Sequence, residues 1–306
     1  MEPLNEIFAF VGGYDKDPSS TVVQSQTRTL ELVIEKVKTK EIKKAIVLSG
    51  AGISVSAGIP DFRSPKTGLY ANLQKFNLPY AEAVFDIEFF IENPKPFFQL
   101  ARELWPGNYR PTRTHYFIRA FQENALLVRN YTQNIDGLER LAGIEEDLII
   151  EAHGSFATAR CIVCRRKYPG EYVKTALLEE KVEIVQCISC SNGFVKPDIV
   201  FFGESLPPRF STFQRSDFKD CDLLIVMGTS LKVYPFAGLV DLVPRSCHRI
   251  LINREPSGPF EDLFGSGFSR ELCNDVFLQG DCDEVTSVLA DAFGWKHQLN
   301  KIMGKL

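Results

Sequence analysis

The sequence predicts an α/β fold with a doubly wound parallel sheet and a second, smaller module. Short apolar runs of strand length alternate with helical segments, which is typical of a parallel sheet covered by helices on both faces. Two C-x-x-C pairs interrupt this alternation and indicate the smaller module. The chain has 306 residues, which is enough for one large domain or two smaller ones.

The predicted elements follow one another in a regular order. Residues 25–40 are predicted to form an amphipathic helix, because Leu30, Val33, Ile34 and Val37 recur at helical spacing. The predicted strands are 45–49, 126–131, 148–151, 222–227, 248–253 and 275–278. In such a sheet the ligand crevice lies beyond the carboxyl ends of the strands.

Two regions break the alternation and divide the chain. Residues 64–110 are rich in aromatic residues and proline and are predicted to form a helical insertion with a small core of its own. The predicted parts are an irregular segment at 1–27, a discontinuous Rossmann-like domain at 28–63, 111–154 and 199–294, the helical module at 64–110, a module with the cysteine pairs at 155–198, and the end of a C-terminal helix at 295–306.

Composition and charge narrow the class of protein. Hydrophobic residues make up 44% and charged residues 24%, as in ordinary soluble domains. The net charge of −4 gives no global field for nucleic acid or an anionic membrane, and no apolar run approaches the ~20 residues that span a bilayer. We therefore expect no direct nucleic-acid or membrane partner. No signal or transit segment is visible, so we expect a cytoplasmic location with access to the nucleus.

A glycine-containing turn follows the first predicted strand. The run Gly50-Ala51-Gly52-Ile53-Ser54 is predicted to be a tight turn with bare backbone N–H groups, which suits a phosphate and so a dinucleotide. Val55 stands where the common G-x-G-x-x-G fingerprint has its third glycine, and no acidic residue lies ~20 positions on. An ordinary dehydrogenase is therefore disfavoured. The alternative is a plain strand-to-helix turn.

Four cysteines have metal-ligand spacing. The pairs Cys161–Cys164 and Cys187–Cys190, with 22 residues between them, can present four thiolates in a tetrahedron, which suits Zn²⁺. Four cysteine ligands leave no position for water, so the predicted zinc is structural. The module at 155–198 is therefore predicted to be a zinc ribbon. The alternative is free or redox-active thiols.

Polar residues follow two further strands. Gln133, Asn134, Ile135 and Asp136 come directly after the strand at 126–131, where ligands bind; the alternative is an Asn- and Asp-rich turn. His153 stands beside a glycine at the end of the next strand. It is a candidate general base, because histidine titrates near neutral pH, and a structural histidine is the alternative.

The last three strands end in residues that could complete the crevice. The hydroxyls of Thr229 and Ser230 could hold a phosphate, and Asn253, Arg254 and Glu255 could take ribose hydroxyls. A backbone amide at Cys282 could contact an adenine. Each group is weak evidence alone, and their placement at successive strand ends is stronger evidence than any one of them.

Together these motifs resemble the sirtuin family over roughly residues 28–300. The resemblance is carried by the runs at 50–54, 58–63, 132–136, 153–154, 201–204 and 228–231, by the two cysteine pairs and by Asn253. The stretches 60–70 and 196–207 resemble the class I branch, with the cytosolic tubulin-deacetylating type closest and the mitochondrial type second. Gly137 stands where the cytosolic type usually has threonine, which leaves the subtype open.

The resemblance implies an NAD-dependent protein-lysine deacetylase with NAD as cosubstrate and one structural Zn²⁺. It implies catalytic roles for His153 and Asn134. The implied NAD-binding residues are Ala51, Gly52, Ile53, Ser54, Asp61, Phe62, Arg63, Gln133, Asn134, Ile135, Asp136, Thr229, Ser230, Asn253, Arg254, Glu255 and Cys282. The implied zinc ligands are Cys161, Cys164, Cys187 and Cys190.

The resemblance also implies how a substrate binds. An acetylated protein segment, such as a histone or tubulin tail, would add as a strand between two parts of the chain. The implied substrate-binding residues are Val200, Phe201, Phe202, Gly203, Glu204 and Val233. The phenylalanine-rich insertion could also accept long fatty acyl chains. The alternatives are a mono-ADP-ribosyltransferase and a non-catalytic NAD-sensing scaffold.

Overall fold

The main part of the protein is a six-stranded parallel sheet, with its strands in the spatial order 149–151, 127–132, 45–49, 223–227, 248–253 and 275–279. The computed structural model describes residues 6–13, 17, 20–60, 78–178, 183–190, 192–264 and 274–304. The strands are β1 (Ala45–Ser49), β2 (Leu127–Thr132), β3 (Ile149–Glu151), β4 (Gly154–Cys161), β5 (Lys167–Pro169), β6 (Val195–Ile199), β7 (Leu223–Met227), β8 (His248–Asn253) and β9 (Asp275–Gln279). The helices are α1 (Thr21–Lys38), α2 (Ile87–Glu92), α3 (Lys95–Leu104), α4 (Arg113–Glu123), α5 (Leu138–Leu141), α6 (Gly170–Leu178), α7 (Pro208–Phe218), α8 (Cys282–Ala292) and α9 (Lys296–Met303).

All six strands predicted for the main sheet are confirmed, each within a residue or two of its predicted bounds. Every residue of β1 and β7 is buried, as expected of parallel strands with helices on both faces. β1 lies at the centre, with β2 on one side and β7 on the other. The chain therefore reverses its direction of winding beside β1, and this switch point is where such sheets bind ligands.

The first helix differs from its prediction. It begins at Thr21, inside the segment 1–27 that the sequence predicts to be irregular, and ends at Lys38. Its N-terminal half is held by a polar contact that hydrophobic periodicity does not reveal. The buried Gln26 accepts a hydrogen bond from the backbone N–H of Phe277 at 2.8 Å. At the other end of the chain, α9 is a separate helix after α8.

The smaller module is a three-stranded sheet, β5-β4-β6, packed with helices of the aromatic-rich insertion. Two other cores cover the two faces of the main sheet. The expectation that the insertion has a core of its own is wrong. The described part of the insertion shares one core with the cysteine-bearing segment, in which Phe90, Phe97 and Phe201 pack edge to face. The four-cysteine segment and the helices thus form one zinc-ribbon and helical module.

Among the described residues, no helix has the length and apolar character that a membrane span requires.

Candidate active site and metal centre

A cleft of about 1420 Å³ lies beyond the carboxyl ends of the parallel strands. It brings together most of the residues that the sequence selects from separate strand ends. The predicted site residues that line it are Ala51, Gly52, Gln133, Asn134, Ile135, His153, Val200, Phe201, Phe202, Gly203, Glu204, Thr229, Ser230, Val233, Asn253, Arg254, Glu255 and Cys282. Ile53, Ser54 and Asp136 do not line it and lie buried behind its wall. Asp61, Phe62 and Arg63 lie outside the described residues.

The turn after β1 is built for close contact with the turn after β7. A Cβ on Gly52 would lie 2.6 Å from the Cα of Gly228, and a Cβ on Gly50 would lie 2.8 Å from the carbonyl oxygen of Gly228. Such separations exclude a side chain at either position. The two glycines therefore let the turns meet, which the sequence pattern alone does not indicate.

The backbone N–H groups of this turn are not bare, contrary to the sequence-based expectation. Gly52 donates to the carbonyl oxygen of Gly228 at 2.8 Å, Ile53 to that of Gly50 at 3.1 Å, and Ser54 to that of Ala51 at 3.0 Å. The first bond joins the two turns, and the other two close the short 3-10 helix Ala51–Ile53. These three donors therefore already have partners within the protein.

A buried polar network supports the floor of the cleft. Ser54 Oγ donates to Asp136 Oδ2 at 2.7 Å, and Asn134 Nδ2 lies 3.2 Å from both Ser54 Oγ and the carbonyl oxygen of Gly50. The backbone N–H of Leu138 donates to the other oxygen of Asp136 at 2.9 Å. Burial raises the pKa of Asp136, and these hydrogen bonds oppose the rise.

Two more titratable groups lie beneath this network, with ligand atoms within 4.8 Å of each other and of Asp136. Burial lowers the pKa of His115 to about 3. Burial, with the neighbouring charge of Asp136, raises the pKa of Glu139 to about 8. His115 is therefore neutral and Glu139 holds a proton near pH 7.

His153 is presented to the cleft in one defined orientation. Its Nδ1 lies 3.1 Å from the backbone carbonyl oxygen of Gln133, which can only accept, so Nδ1 carries the proton and Nε2 keeps its lone pair. Burial lowers the pKa of His153, so the ring is neutral at pH 7. Gly154 has a φ of +71°, and a Cβ there would lie 1.9 Å from the carbonyl oxygen of Asp198. The neighbouring glycine is therefore required for this turn.

The polar side chains after β2, β7 and β8 hold one another in place. Gln133 Nε2 donates to Thr229 Oγ1 at 2.6 Å. Asn253 Nδ2 donates to the carbonyl oxygens of Thr229 at 3.2 Å and Glu255 at 3.0 Å. Arg254 pairs with Asp281 at 2.5 Å on the exposed rim. These cross-links hold the three strand ends in one defined arrangement.

Residues 200–204 form one wall of the cleft, and several of their main-chain groups already form hydrogen bonds within the protein. The N–H of Val200 donates to the carbonyl oxygen of His153 at 2.8 Å. The N–H of Phe202 donates to the carbonyl oxygen of Phe85 at 2.8 Å, and its carbonyl oxygen accepts from Ile87 at 3.1 Å. A peptide that pairs with this wall must therefore use the main-chain groups that the protein's own hydrogen bonds leave open.

Several cleft residues are not selected by the sequence analysis. Phe85, Ile199 and Phe210 line the apolar part, and Gly280 lies next to Asp281 at the end of β9. The aromatic residues come from runs that have the same composition as buried core, so no local signal separates them. The glycine follows a predicted strand, and its position at a strand end is a signal that could have found it.

The four cysteines predicted to hold zinc do come together. Their Sγ atoms all lie within 4.8 Å of one another, with Cys161 and Cys190 at 3.5 Å and Cys164 and Cys187 at 3.7 Å. A tetrahedral zinc with Zn–S bonds of about 2.3 Å requires sulfur separations of about 3.8 Å. Gly193 must be glycine, because a Cβ there would lie 2.3 Å from Cys161 Sγ. The donor set therefore fits a structural zinc.

Fold and site together define an α/β protein with a dinucleotide-type crevice and a four-cysteine metal centre. Residues 50–235 match the model of the Sir2 family. The chain is 50% identical over 277 residues to the NAD-dependent protein deacetylase hst2 of Schizosaccharomyces pombe, covering 90% of this chain and 80% of that protein. It therefore belongs to the Sir2 family.

Two vertebrate relatives match over a similar length. The chain is 50% identical over 285 residues to the NAD-dependent protein deacetylase sirtuin-2 of Danio rerio, covering 90% of this chain and 74% of that protein. It is 48% identical over 301 residues to the NAD-dependent protein deacetylase sirtuin-3 of Mus musculus, covering 98% of this chain and 86% of that protein. The two identities are nearly equal and do not distinguish the two subtypes suggested by the sequence.

Proposed function

We propose that this chain is an NAD-dependent protein-lysine deacetylase. With one water, acetyl-lysine and NAD give free lysine, nicotinamide and O-acetyl-ADP-ribose. The observation that carries the proposal is His153, which presents a neutral, oriented imidazole to the dinucleotide-type crevice. The names of the Sir2-family relatives support the same activity.

His153 acts as the general base in this proposal. NAD supplies the electrophilic ribose carbon and receives the acetyl group, so the protein has to supply position and a base. Nε2 of His153 takes the proton of a ribose hydroxyl, while the Gln133 carbonyl holds Nδ1–H and stabilises the ring as it becomes charged. Asn134, fixed by Gly50 and Ser54, orients the ribose and the attacked carbon beside this base.

The remaining NAD-binding roles follow the order of the strand ends. The nicotinamide end is assigned to Gln133 and Ile135, the phosphates and adjoining ribose to Ala51, Gly52, Thr229 and Ser230, and the adenosine end to Asn253, Arg254, Glu255 and the backbone of Cys282. Ile53, Ser54 and Asp136 lie behind the wall of the cleft, and their implied contacts with NAD stay a prediction. Asp61, Phe62 and Arg63 keep their implied roles as a prediction outside the described residues. The hydrogen-bonded donors of Gly52 to Ser54 would have to share or exchange their partners to bind a phosphate.

The acetylated protein segment is assigned to the groove between residues 200–204 and Val233. Phe85, Ile199 and Phe210 line the same cleft and would accept the acyl chain, and longer fatty acyl groups are included in the proposal. Histone or tubulin tails, and a cytoplasmic location with access to the nucleus, are the specific substrates and compartment that we propose.

A mono-ADP-ribosyltransferase and a catalytically silent NAD-binding scaffold are the two competing functions. Both would use the same crevice, and neither explains a base oriented by Gln133 beside a groove with an apolar lining. We therefore favour the deacetylase.

The test measures nicotinamide release from NAD with an acetyl-lysine peptide, with products identified by mass, for wild type and His153→Ala. We expect equal amounts of deacetylated peptide and O-acetyl-ADP-ribose, and loss of both in the variant. ADP-ribose retained on protein would replace the proposal with the transferase. Absence of turnover with both acetyl- and myristoyl-lysine peptides would favour the scaffold.

A further inference from the structure

A buried lysine links the zinc-bearing module to the wall of the cleft. The side chain of Lys196, on β6, is 7% exposed. Its ammonium group has three N–H donors, and three acceptors surround it: the carbonyl oxygens of Pro197 at 3.2 Å and Ile199 at 2.6 Å, and Glu204 Oε2 at 2.9 Å. All three N–H donors of the ammonium group therefore have partners. Burial by itself lowers the pKa of Lys196, and these partners favour the charged form.

The partner carboxylate in turn fixes the backbone of the cleft wall. Glu204 Oε2 accepts a hydrogen bond from the N–H of Phe201 at 2.9 Å, and the N–H of Glu204 donates to the carbonyl oxygen of Phe201 at 2.9 Å. Lys196 Nζ also lies 4.1 Å from the centre of the Phe201 ring, a cation–π distance. The Lys196–Glu204 ion pair thus holds the turn from Phe201 to Glu204, while Phe202 within it is held separately by the backbone of Phe85 and Ile87.

The same lysine is placed by the metal-bearing sheet. β6 pairs with β4, in which Val195 lies opposite the zinc ligand Cys161 and Lys196 lies opposite Arg160. Lys196 is therefore the residue next to Val195, which pairs with a predicted metal ligand. The contacts run from the cysteine cluster through β6 and Lys196 to Glu204 and the wall of the cleft.

We propose that Lys196 is a positioning residue for the acyl-peptide substrate, acting through Glu204 on the main-chain groups of residues 201–204. This inference rests on the proposed role of that segment in peptide binding. Removing the ammonium leaves Glu204, whose side chain is 25% exposed, without its cation, so the turn from Phe201 to Glu204 is held less firmly. Peptide binding then has to restore that order, which weakens it.

The experiment compares Lys196→Met with Lys95→Met. Lys95 belongs to the same module and forms an exposed ion pair with Glu183 at 2.6 Å, so it is a matched control. We expect Lys196→Met to raise the KM for an acetyl-lysine peptide about tenfold, with the KM for NAD unchanged and kcat at saturating peptide within about twofold. Lys95→Met should change none of these values.

A second variant keeps the test valid if Lys196→Met folds poorly. Glu204→Gln has the same shape and should raise the peptide KM in the same way, and the double variant should be no worse than the more affected single variant, because both remove one interaction. Zinc content and circular dichroism report whether the module remains folded. A lower melting temperature with an unchanged peptide KM would assign Lys196 a purely structural role and overturn the proposal.

Hydrogen exchange separates this inference from the proposed groove. In wild type, an acetyl-lysine peptide should slow amide exchange in residues 200–204 beyond the protection that their existing hydrogen bonds give. Protection with an unchanged peptide KM in Lys196→Met would overturn only the role of Lys196. Absence of protection would overturn the groove and the role of Lys196 together.

Discussion

Ser54 and Asp136, 82 residues apart in the sequence, form a 2.7 Å hydrogen bond beneath the cleft, where Ser54 is 1% exposed. The same hydroxyl lies 3.2 Å from Asn134 Nδ2, so one small side chain joins the turn after β1 to the turn after β2. The floor of the crevice is thus a buried hydrogen-bond network that the two turns share.

Ser54→Ala should disturb this floor. The change leaves an oxygen of Asp136 without its donor in a buried site, which costs about 1–3 kcal/mol. We expect a lower free energy of unfolding in urea and a higher KM for NAD. Ser56→Ala is the control, since Ser56 Oγ donates to Asp283 in an exposed contact. Equal effects of the two substitutions on stability would contradict the importance of the buried bond.

The activity should persist below the pH at which an ordinary histidine takes up its proton. The base must be neutral, and burial lowers the pKa of His153 below its ordinary 6.5. The rate is therefore retained at pH 6.5 and falls only as the pH drops through the lowered pKa. The pH profile of kcat/KM for the peptide measures this limb, and circular dichroism at each pH controls for unfolding. A midpoint above 6.5 would argue against His153 as the base.

Loss of one cysteine ligand should release the zinc and disrupt the smaller module. Cys187→Ser removes one of four thiolates whose sulfur atoms already have tetrahedral spacing. We expect the variant to be purified without zinc, with a lower melting temperature. Cys247→Ser is the control, because Cys247 is buried beside Cys221, outside the cluster. Full zinc content in Cys187→Ser would refute the four-cysteine site.

Gly52→Ala should separate the two turns that meet at the crevice. The added methyl group would lie 2.6 Å from the Cα of Gly228, a backbone atom that cannot rotate away, so we expect a cost of about 1–3 kcal/mol and a higher KM for NAD. Gly238→Ala is matched to it, since a methyl group there would meet only the Tyr234 ring at 3.6 Å. Urea unfolding and NAD kinetics of both variants check this, and a well-tolerated Gly52→Ala would show that the contact can relax.

Glu139 should make the protein less stable as the pH rises. Its pKa is about 8 in the folded chain and 4.5 ordinarily, so between these values the folded state keeps a proton that the unfolded state has released. The stabilisation is complete below pH 4.5 and is lost by up to about 1.4 kcal/mol per pH unit towards pH 8. His115 contributes the opposite slope below pH 6.5, so the window to measure is pH 6.5 to 8.

Urea unfolding across that window tests this slope. Glu139→Gln should flatten it, because the amide does not titrate. Glu92→Gln, on the exposed end of α2, should leave it unchanged. A slope that persists in Glu139→Gln would place the titrating group elsewhere.

The sequence by itself determined the strands, the metal centre and the candidate base. Buried parallel strands are continuous apolar runs, so 45–49 and 222–227 could be bounded to within a residue from local composition alone. The spacing of the cysteines identifies the four predicted ligands, because four thiolates in two short loops can meet at one ion. His153 stood out because it follows a strand and precedes a glycine that its turn requires.

Only the tertiary structure determined which of these elements contact one another. The Gly52–Gly228 contact, the Ser54–Asp136 bond and the shared core of the insertion and the cysteine segment join residues far apart in the chain. No periodicity or motif records such pairs, since local sequence encodes which face of an element is apolar but not which element will cover it. Lys196 shows this most directly. In the sequence it is the first residue of the stretch 196–207 and nothing marks it as buried, whereas in the structure it is buried against Glu204 and contacts the cleft wall.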